Sequence, residues 1–136
     1  MFNELRVSIN MVKSIVSEKE EEFLKDFKNI YALRYLIIEI VEAASLIGSH
    51  VLEACFNTAV ESYREVFDML MKYNVISSEI GEEMKKLTGL RNLVVHRYWV
   101  IDDLRIFREA KEGLKIVEKF IKEVEKFVKE RIGKSL

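Results

Sequence analysis

Apolar residues recur along this chain at alternating three- and four-residue steps, the pattern of helices with one buried face. Phe2, Leu5, Ile9, Val12, Val16 and Phe23 share one such register, with Lys19 as its gap and the charge run EKEEE on the outer face. They predict a first helix. The register resets near Lys28-Asn29, where Asn29 can cap a second helix. There Leu33, Ile37, Ile40, Ala44 and Ile47 line one face, and Tyr31, Leu36, Ile38 and Val41 cover others. A helix apolar nearly all round belongs at the centre, and Gly48-Ser49 marks its expected end. Asn57 or Thr58 can start a third helix, with Val60, Tyr63, Phe67, Leu70 and Met71 inward and Asn74 suited to a left-handed terminal residue. Ser77 or Ser78 can cap a fourth, with Glu79, Glu82 and Glu83 in its first turns, where the helix dipole favours them. Asp102 or Asp103 can cap a fifth, on which Phe107, Ala110, Leu114, Val117, Ile121, Val124 and Val128 hold the spacing. Residues 1–136 thus predict one all-α domain, an antiparallel up-and-down bundle of about five helices. Ile106, Ile116, Phe120 and Phe127 widen the apolar face of the fifth beyond what one small bundle covers, which points to a homodimer.

Composition sharpens this in three ways. The chain has no proline and is rich in Lys and Glu, which reinforces the helical reading. A formal net charge of −1 gives no global basic field for nucleic acid, so any such surface must be local. Lys85, Lys86, Arg91, Arg97 and Arg105 are its candidates. Cys55 is the single cysteine, so no intrachain disulfide is available and a cytoplasmic location is expected. The first residues lack the pattern of a signal peptide. In YALRYLIIEIVEAASLIG the charges of Arg34, Glu39 and Glu42 mark a core helix rather than a membrane span.

The stretch RNLVVHRYW, residues 91–99, does not fit a plain bundle. On a helix over 78–99, Ile80, Met84, Leu87, Arg91, Val94 and Tyr98 fall in one register, so Arg91 stands in line with the core stripe. An unpaired guanidinium there is costly. It needs a carboxylate such as Glu39 or Glu42, a phosphate, or an opening to water. Thr88, Asn92 and His96 form a second stripe, with Gly89 beside it leaving room for a neighbouring helix or a ligand. Arg91 and His96 are five positions apart, about 140° around a helix, and cannot converge on one small target from a single straight helix. A joint site needs a further element, such as the same helix of a second subunit. Histidine moves protons near neutral pH, and arginine stays charged and can stabilise a crowded phosphate. That pair suits RNA cleavage without a metal. No zinc-type ligand cluster and no glycine-rich phosphate loop appear, so no metal or cofactor is expected. Trp99 suits packing better than base stacking, and His50 reads as a helix-end residue.

Residues 91–98 spell R-N-x-x-x-H-x-Y. This resembles the signature of HEPN-domain proteins of the HepT type, RNase toxins encoded beside a minimal nucleotidyltransferase antitoxin. YALRYLIIEIVEAASLIGSHV resembles the family's second helix and SYREVFDMLMKYNVIS the helix and turn that follow. Asp102 suits the pattern after the motif, and the resemblance spans roughly residues 26–125. It implies a homodimeric helical bundle whose two motif helices form one composite cleft, with Arg91 and His96 catalytic and Asn92 supporting them. It implies metal-independent cleavage of an RNA substrate, tRNA or mRNA, by 2′-hydroxyl attack. It also implies AMP transfer onto Tyr98 by the nucleotidyltransferase antitoxin, which would block the cleft. The competing expectation, from another class, is a non-catalytic subunit that uses the same bundle to bind a nucleotide or the nucleotidyltransferase.

Overall fold

Asp26, Ser62 and Ser77 each take a backbone N–H three residues on with a side-chain oxygen, and so set where the chain begins three of its turns. The structure, a computed structural model, describes residues 2–96 and 100–135. Six helices lie among the described residues: α1 (Phe2–Val16), α2 (Glu20–Phe23), α3 (Phe27–Phe56), α4 (Tyr63–Lys72), α5 (Ser78–His96) and α6 (Asp103–Ser135). No strand occurs among them.

Side-chain pairs give the helix directions. Arg6 pairs with Glu125 and Lys13 with Glu118, so α1 and α6 are antiparallel. Ser8 donates to Glu39 and Asn29 to Glu18, so α1 and α3 are antiparallel. Arg34 pairs with Asp103, and Arg131 donates to the Cys55 carbonyl, so α3 and α6 are parallel. Ser77 donates its N–H to Glu123 while Leu87 packs at Gly113, so α5 and α6 are antiparallel. The four long helices α1, α3, α5 and α6 are therefore the expected up-and-down bundle. Its core includes fully buried Leu5, Phe23, Leu33, Leu52, Phe67, Leu70, Met84, Phe107 and Phe120. Phe23 meets Phe107 at 4.7 Å between ring centroids, and Phe67 meets Phe120 edge-on at 5.8 Å.

The short α4 is the departure. Asp68 on α4 pairs with Lys85 on α5, and Met71 lies at Gly81, so these two helices are antiparallel and α4 runs the same way as α3. Residues 57–62 accordingly return along the bundle before α4 begins. They leave an opening between α3, α4 and α5.

Several expected boundaries move. The first register is one face but two helices, because α1 ends at Val16 and α2 carries Phe23 into the core. Asp26, not Asn29, caps α3. Gly48 does not end α3, which continues to Phe56. A Cβ at Gly48 would stand 2.6 Å from Val66 and 2.9 Å from Leu70, so glycine there permits the close approach of α4. Asn57 does not start a helix. It ends α3 in the left-handed conformation, φ 48°, and its N–H bonds back to the Glu53 carbonyl. Asn74 takes the expected left-handed geometry at φ 60°. His50 is exposed within α3 rather than at its end. The wide face of α6 is met within the chain: Ile106 and Phe120 are buried, and Ile116 and Phe127 pack against the core. That face therefore gives no argument for a second copy.

Candidate functional site

The α5 stripe runs as its spacing requires. Ile80, Met84, Leu87 and Val94 are buried, and Arg91 stands between the last two with only 15% of its side chain exposed. Three groups hold its guanidinium. Asn92 Oδ1 accepts a hydrogen bond from Nη1 at 3.0 Å. Glu42 on α3 brings Oε1 to 3.6 Å from Nη2. The Tyr63 ring, in the first turn of α4, lies 4.8 Å from the guanidinium carbon. Of the two carboxylates expected to answer Arg91, Glu42 does so. Glu39 is taken by Ser8 and Tyr35. Arg91 Nε is buried with no hydrogen-bond partner, so the cradle leaves one donor of the fork unanswered.

Asn92 is half-buried, and His96, the last residue of α5, is exposed. The helix between Arg91 and His96 is continuous, so the angular separation of about 140° stands within one chain. Tyr98, Arg97 and Trp99 lie outside the described residues. The helix that follows is capped by Asp102, whose carboxylate accepts from the Arg105 N–H.

Tyr63, Glu42 and their neighbours are the part of the site that spacing on α5 does not show. Ser62 caps α4 by accepting from the Glu65 N–H at 3.2 Å, and the Glu65 carboxylate accepts from the Glu61 N–H at 3.0 Å. These two bonds at the start of α4 hold Tyr63 in its first turn, against Arg91. The same turn carries Arg64, whose Nη2 lies 3.6 Å from where a Cβ at Gly89 would stand. The room left by Gly89 is thus used by α4.

The expected basic patch changes membership. Lys85 pairs with Asp68 at 2.8 Å, Lys86 with Glu83 at 2.9 Å and Arg105 with Glu109 at 2.6 Å. Asp68 and Glu83 hold the two lysines above the usual ammonium range. Their charge is spent locally, and Arg64 is the cation the sequence reading passed over. No helix among the described residues is long and apolar enough to cross a membrane.

Comparison with known proteins fits this geometry. A solved structure of the tri-AMPylated HEPN toxin of Shewanella oneidensis in complex with its MNT antitoxin superposes with a TM-score of 0.75, at 22% identity, over 92% of this chain and 98% of that one. The fold is therefore that of HEPN toxins. A tRNA nuclease HepT of Aphanizomenon flos-aquae is 25% identical over 103 residues, covering 76% of this chain and 70% of that protein. A protein of Archaeoglobus fulgidus, named only as a candidate RNase, is 30% identical over 87 residues, 64% of this chain. The match spans 65% of that archaeal protein's own length. The profile of the ribonuclease HepT-like family matches residues 5–124, nearly the whole bundle and all of α5, and the chain belongs to that family.

Proposed function

We propose that this chain is a metal-independent endoribonuclease toxin whose site is built on Arg91, Asn92 and His96 and completed by a second copy of the chain. The observation that carries the reading is the state of Arg91. A guanidinium on the core register, 15% exposed, whose one carboxylate partner among the described residues stands at 3.6 Å without a hydrogen bond, is a cation kept ready for an anion rather than one sealed in a saturated ion pair. An exposed histidine stands at the end of the same helix.

The chemistry needs one proton acceptor and one fixed positive charge. The His96 imidazole would take the proton from an RNA 2′-hydroxyl as that oxygen attacks the adjoining phosphorus. The bond to the 5′-oxygen breaks, that oxygen takes a proton from water as it leaves, and a 2′,3′-cyclic phosphate remains. Arg91 would neutralise the charge gathering on the non-bridging oxygens. Residues about 140° apart on one helix need a further element to meet a common phosphate, and the same helix of a second copy facing the first supplies it, which supports the homodimer.

The nuclease names carried by relatives, and the toxin–antitoxin complex formed by the Shewanella protein, support a nucleotidyltransferase antitoxin as the controlling partner. Tyr98 would be its AMP acceptor. Added phosphates beside Arg91 would occupy the charge that RNA requires.

The test is cleavage of tRNA and total RNA in excess EDTA by unmodified protein and by His96→Ala prepared identically. Cleavage by the parent alone, ending in cyclic phosphate, is the expected result. Equal cleavage by both would remove His96 from the mechanism. No cleavage by either, with Tyr98 shown bare by mass spectrometry, would favour the non-catalytic binding subunit.

A further inference from the structure

All three groups that hold Arg91 also line one cleft. Glu42, Tyr63 and Asn92 border an opening of about 730 Å³ between α3, the returning segment 57–62, α4 and α5. Its size lies within the range of sites that take small molecules. Its lining is mixed. Tyr63 supplies an aromatic surface, Ser45, Ser49 and Asn92 supply polar groups, and Glu42 and Glu61 supply carboxylates. Two of these have capacity left over. The Ser45 hydroxyl is buried and has no hydrogen-bond partner. Asn92 Oδ1 is taken by Arg91, and no hydrogen bond from its amide N–H groups occurs among the described residues.

The cleft also has a cation of its own. Arg64 lines it from the first turn of α4, stands against α5 at Gly89, and forms no ion pair among the described residues. Among the described residues Arg6, Arg34, Arg91, Arg105 and Arg108 each answer a nearby carboxylate. A guanidinium left without one, beside a polar and aromatic hollow, suits a phosphate ester whose attached group enters the hollow.

We propose that this cleft binds one unstacked nucleotide of the RNA strand next to the phosphate held by Arg91, with Arg64 taking a neighbouring phosphate. The inference rests on the ribonuclease reading. Single-stranded RNA is recognised by splaying a base out of the strand onto an aromatic or guanidinium face and bonding its polar edge. Tyr63 provides the first, and Asn92 and Ser45 the second. Arg64 is then a substrate-binding residue, not a catalytic one.

Arg64→Gln, Arg64→Lys and Ser49→Phe separate the possibilities, the last filling the cleft without touching Arg91 or His96. Two readouts are needed: cleavage of tRNA, and binding of a short 2′-O-methyl RNA, which cannot be cut, over a range of salt. Arg64→Gln should raise KM and Kd about three- to tenfold with kcat unchanged. It should also lower the slope of log affinity against log salt by about 0.7, the amount expected for one lost phosphate contact on a single strand. Arg64→Lys should restore that slope. Ser49→Phe should weaken binding while its melting curve stays that of a folded bundle. A merely structural Arg64 would shift the melting temperature and leave the salt slope alone. Parental binding and slope in Arg64→Gln, with cleavage intact, would overturn the cleft while leaving the ribonuclease reading in place. Arg64-dependent binding without any cleavage would keep the cleft and overturn the ribonuclease. Absence of RNA binding in the parent would overturn the cleft.

Discussion

Arg34 on α3 meets Asp103 on α6 through two hydrogen bonds, Nε to Oδ1 at 2.9 Å and Nη2 to Oδ2 at 2.7 Å. Both side chains are about four-fifths covered, and Tyr31 lies 5.1 Å beneath the guanidinium. The Asp103 carboxylate holds the Arg34 guanidinium even more firmly protonated than usual. Asp103 opens α6, seven residues beyond His96, so this pair ties down the far end of the segment that carries the rest of the motif. A planar, two-bond pair is the strong form of a salt bridge. Arg34→Ala should cost about 1–2 kcal/mol, more than an exposed pair would. Asp103→Ala should cost a similar amount. The double variant should lose clearly less than the sum in a urea titration. Additive losses would mean that the two residues act separately.

Asn57 gives a sharper stability test. Its φ of 48° suits glycine or asparagine and penalises a β-carbon without a local hydrogen bond. Asn57→Gly should leave stability within about 0.5 kcal/mol of the parent, and Asn57→Ala should cost about 1 kcal/mol or more. Equal behaviour of the two would place Asn57 outside the left-handed region. The position also sets where the chain turns back toward α4, so the alanine variant should disturb Tyr63 and Arg64 before it disturbs α1 or α6.

That residue shows why the sequence was legible in some places and not in others. Asparagine both opens helices and closes them in the left-handed conformation, so a stretch reading CFNT does not say which. Gly48 read as a stop because glycine is a poor helix former, yet the contact that explains it comes from Val66 and Leu70, on another helix. Buried faces were readable because they need only local periodicity. Arg91 was readable for the same reason, as a charge standing in an apolar register. Glu42 was one of two candidates until α3 and α5 were placed side by side. Tyr63 reads from spacing as one more inward apolar residue, and spacing alone does not single out Arg64. The available signal was the run SYRE, in which a capping serine places an aromatic and an arginine on one first turn.

Acid should weaken one corner of the bundle. Glu20, which opens α2, accepts two hydrogen bonds from Arg108 on α6, at 2.7 and 3.1 Å. The Arg108 guanidinium holds the Glu20 carboxyl below its usual range, and the Coulombic pull of Lys111 adds to this. A carboxyl whose folded pKa is depressed contributes stability above its unfolded pKa and loses it as pH falls through the folded value. Glu20→Gln should therefore melt below the parent near neutral pH, and the gap should close as the pH drops beneath the ordinary carboxylate range. The pair is solvent-exposed, so the gap should also shrink in high salt. A gap that persists in acid would mean that Glu20 acts through packing.

Glu42 is where the proposed chemistry meets the resting structure. Its Oε1 stands 3.6 Å from Arg91 Nη2, an ion pair without a hydrogen bond, and the carboxylate is half exposed. A phosphate approaching Arg91 meets that negative charge first. Two roles follow, and they predict opposite signs. If Glu42 only occupies Arg91 in the free chain, Glu42→Gln removes a competitor. RNA should then bind about threefold more tightly, with kcat unchanged, because a loose, partly solvated pair is worth well under 1 kcal/mol. If Glu42 aims the guanidinium, kcat should fall and binding should change little. The cradle favours the first, since Asn92 and Tyr63 hold Arg91 more closely than Glu42 does. Tyr63→Leu completes the comparison. With the ring gone, Arg91 has only Asn92 and Glu42 and the nucleotide loses its stacking face, so kcat should fall several-fold and KM should rise, and Glu42→Gln in that background should lower kcat further. A rise in KM on Glu42→Gln alone would make the carboxylate part of the binding surface and overturn its role as competitor.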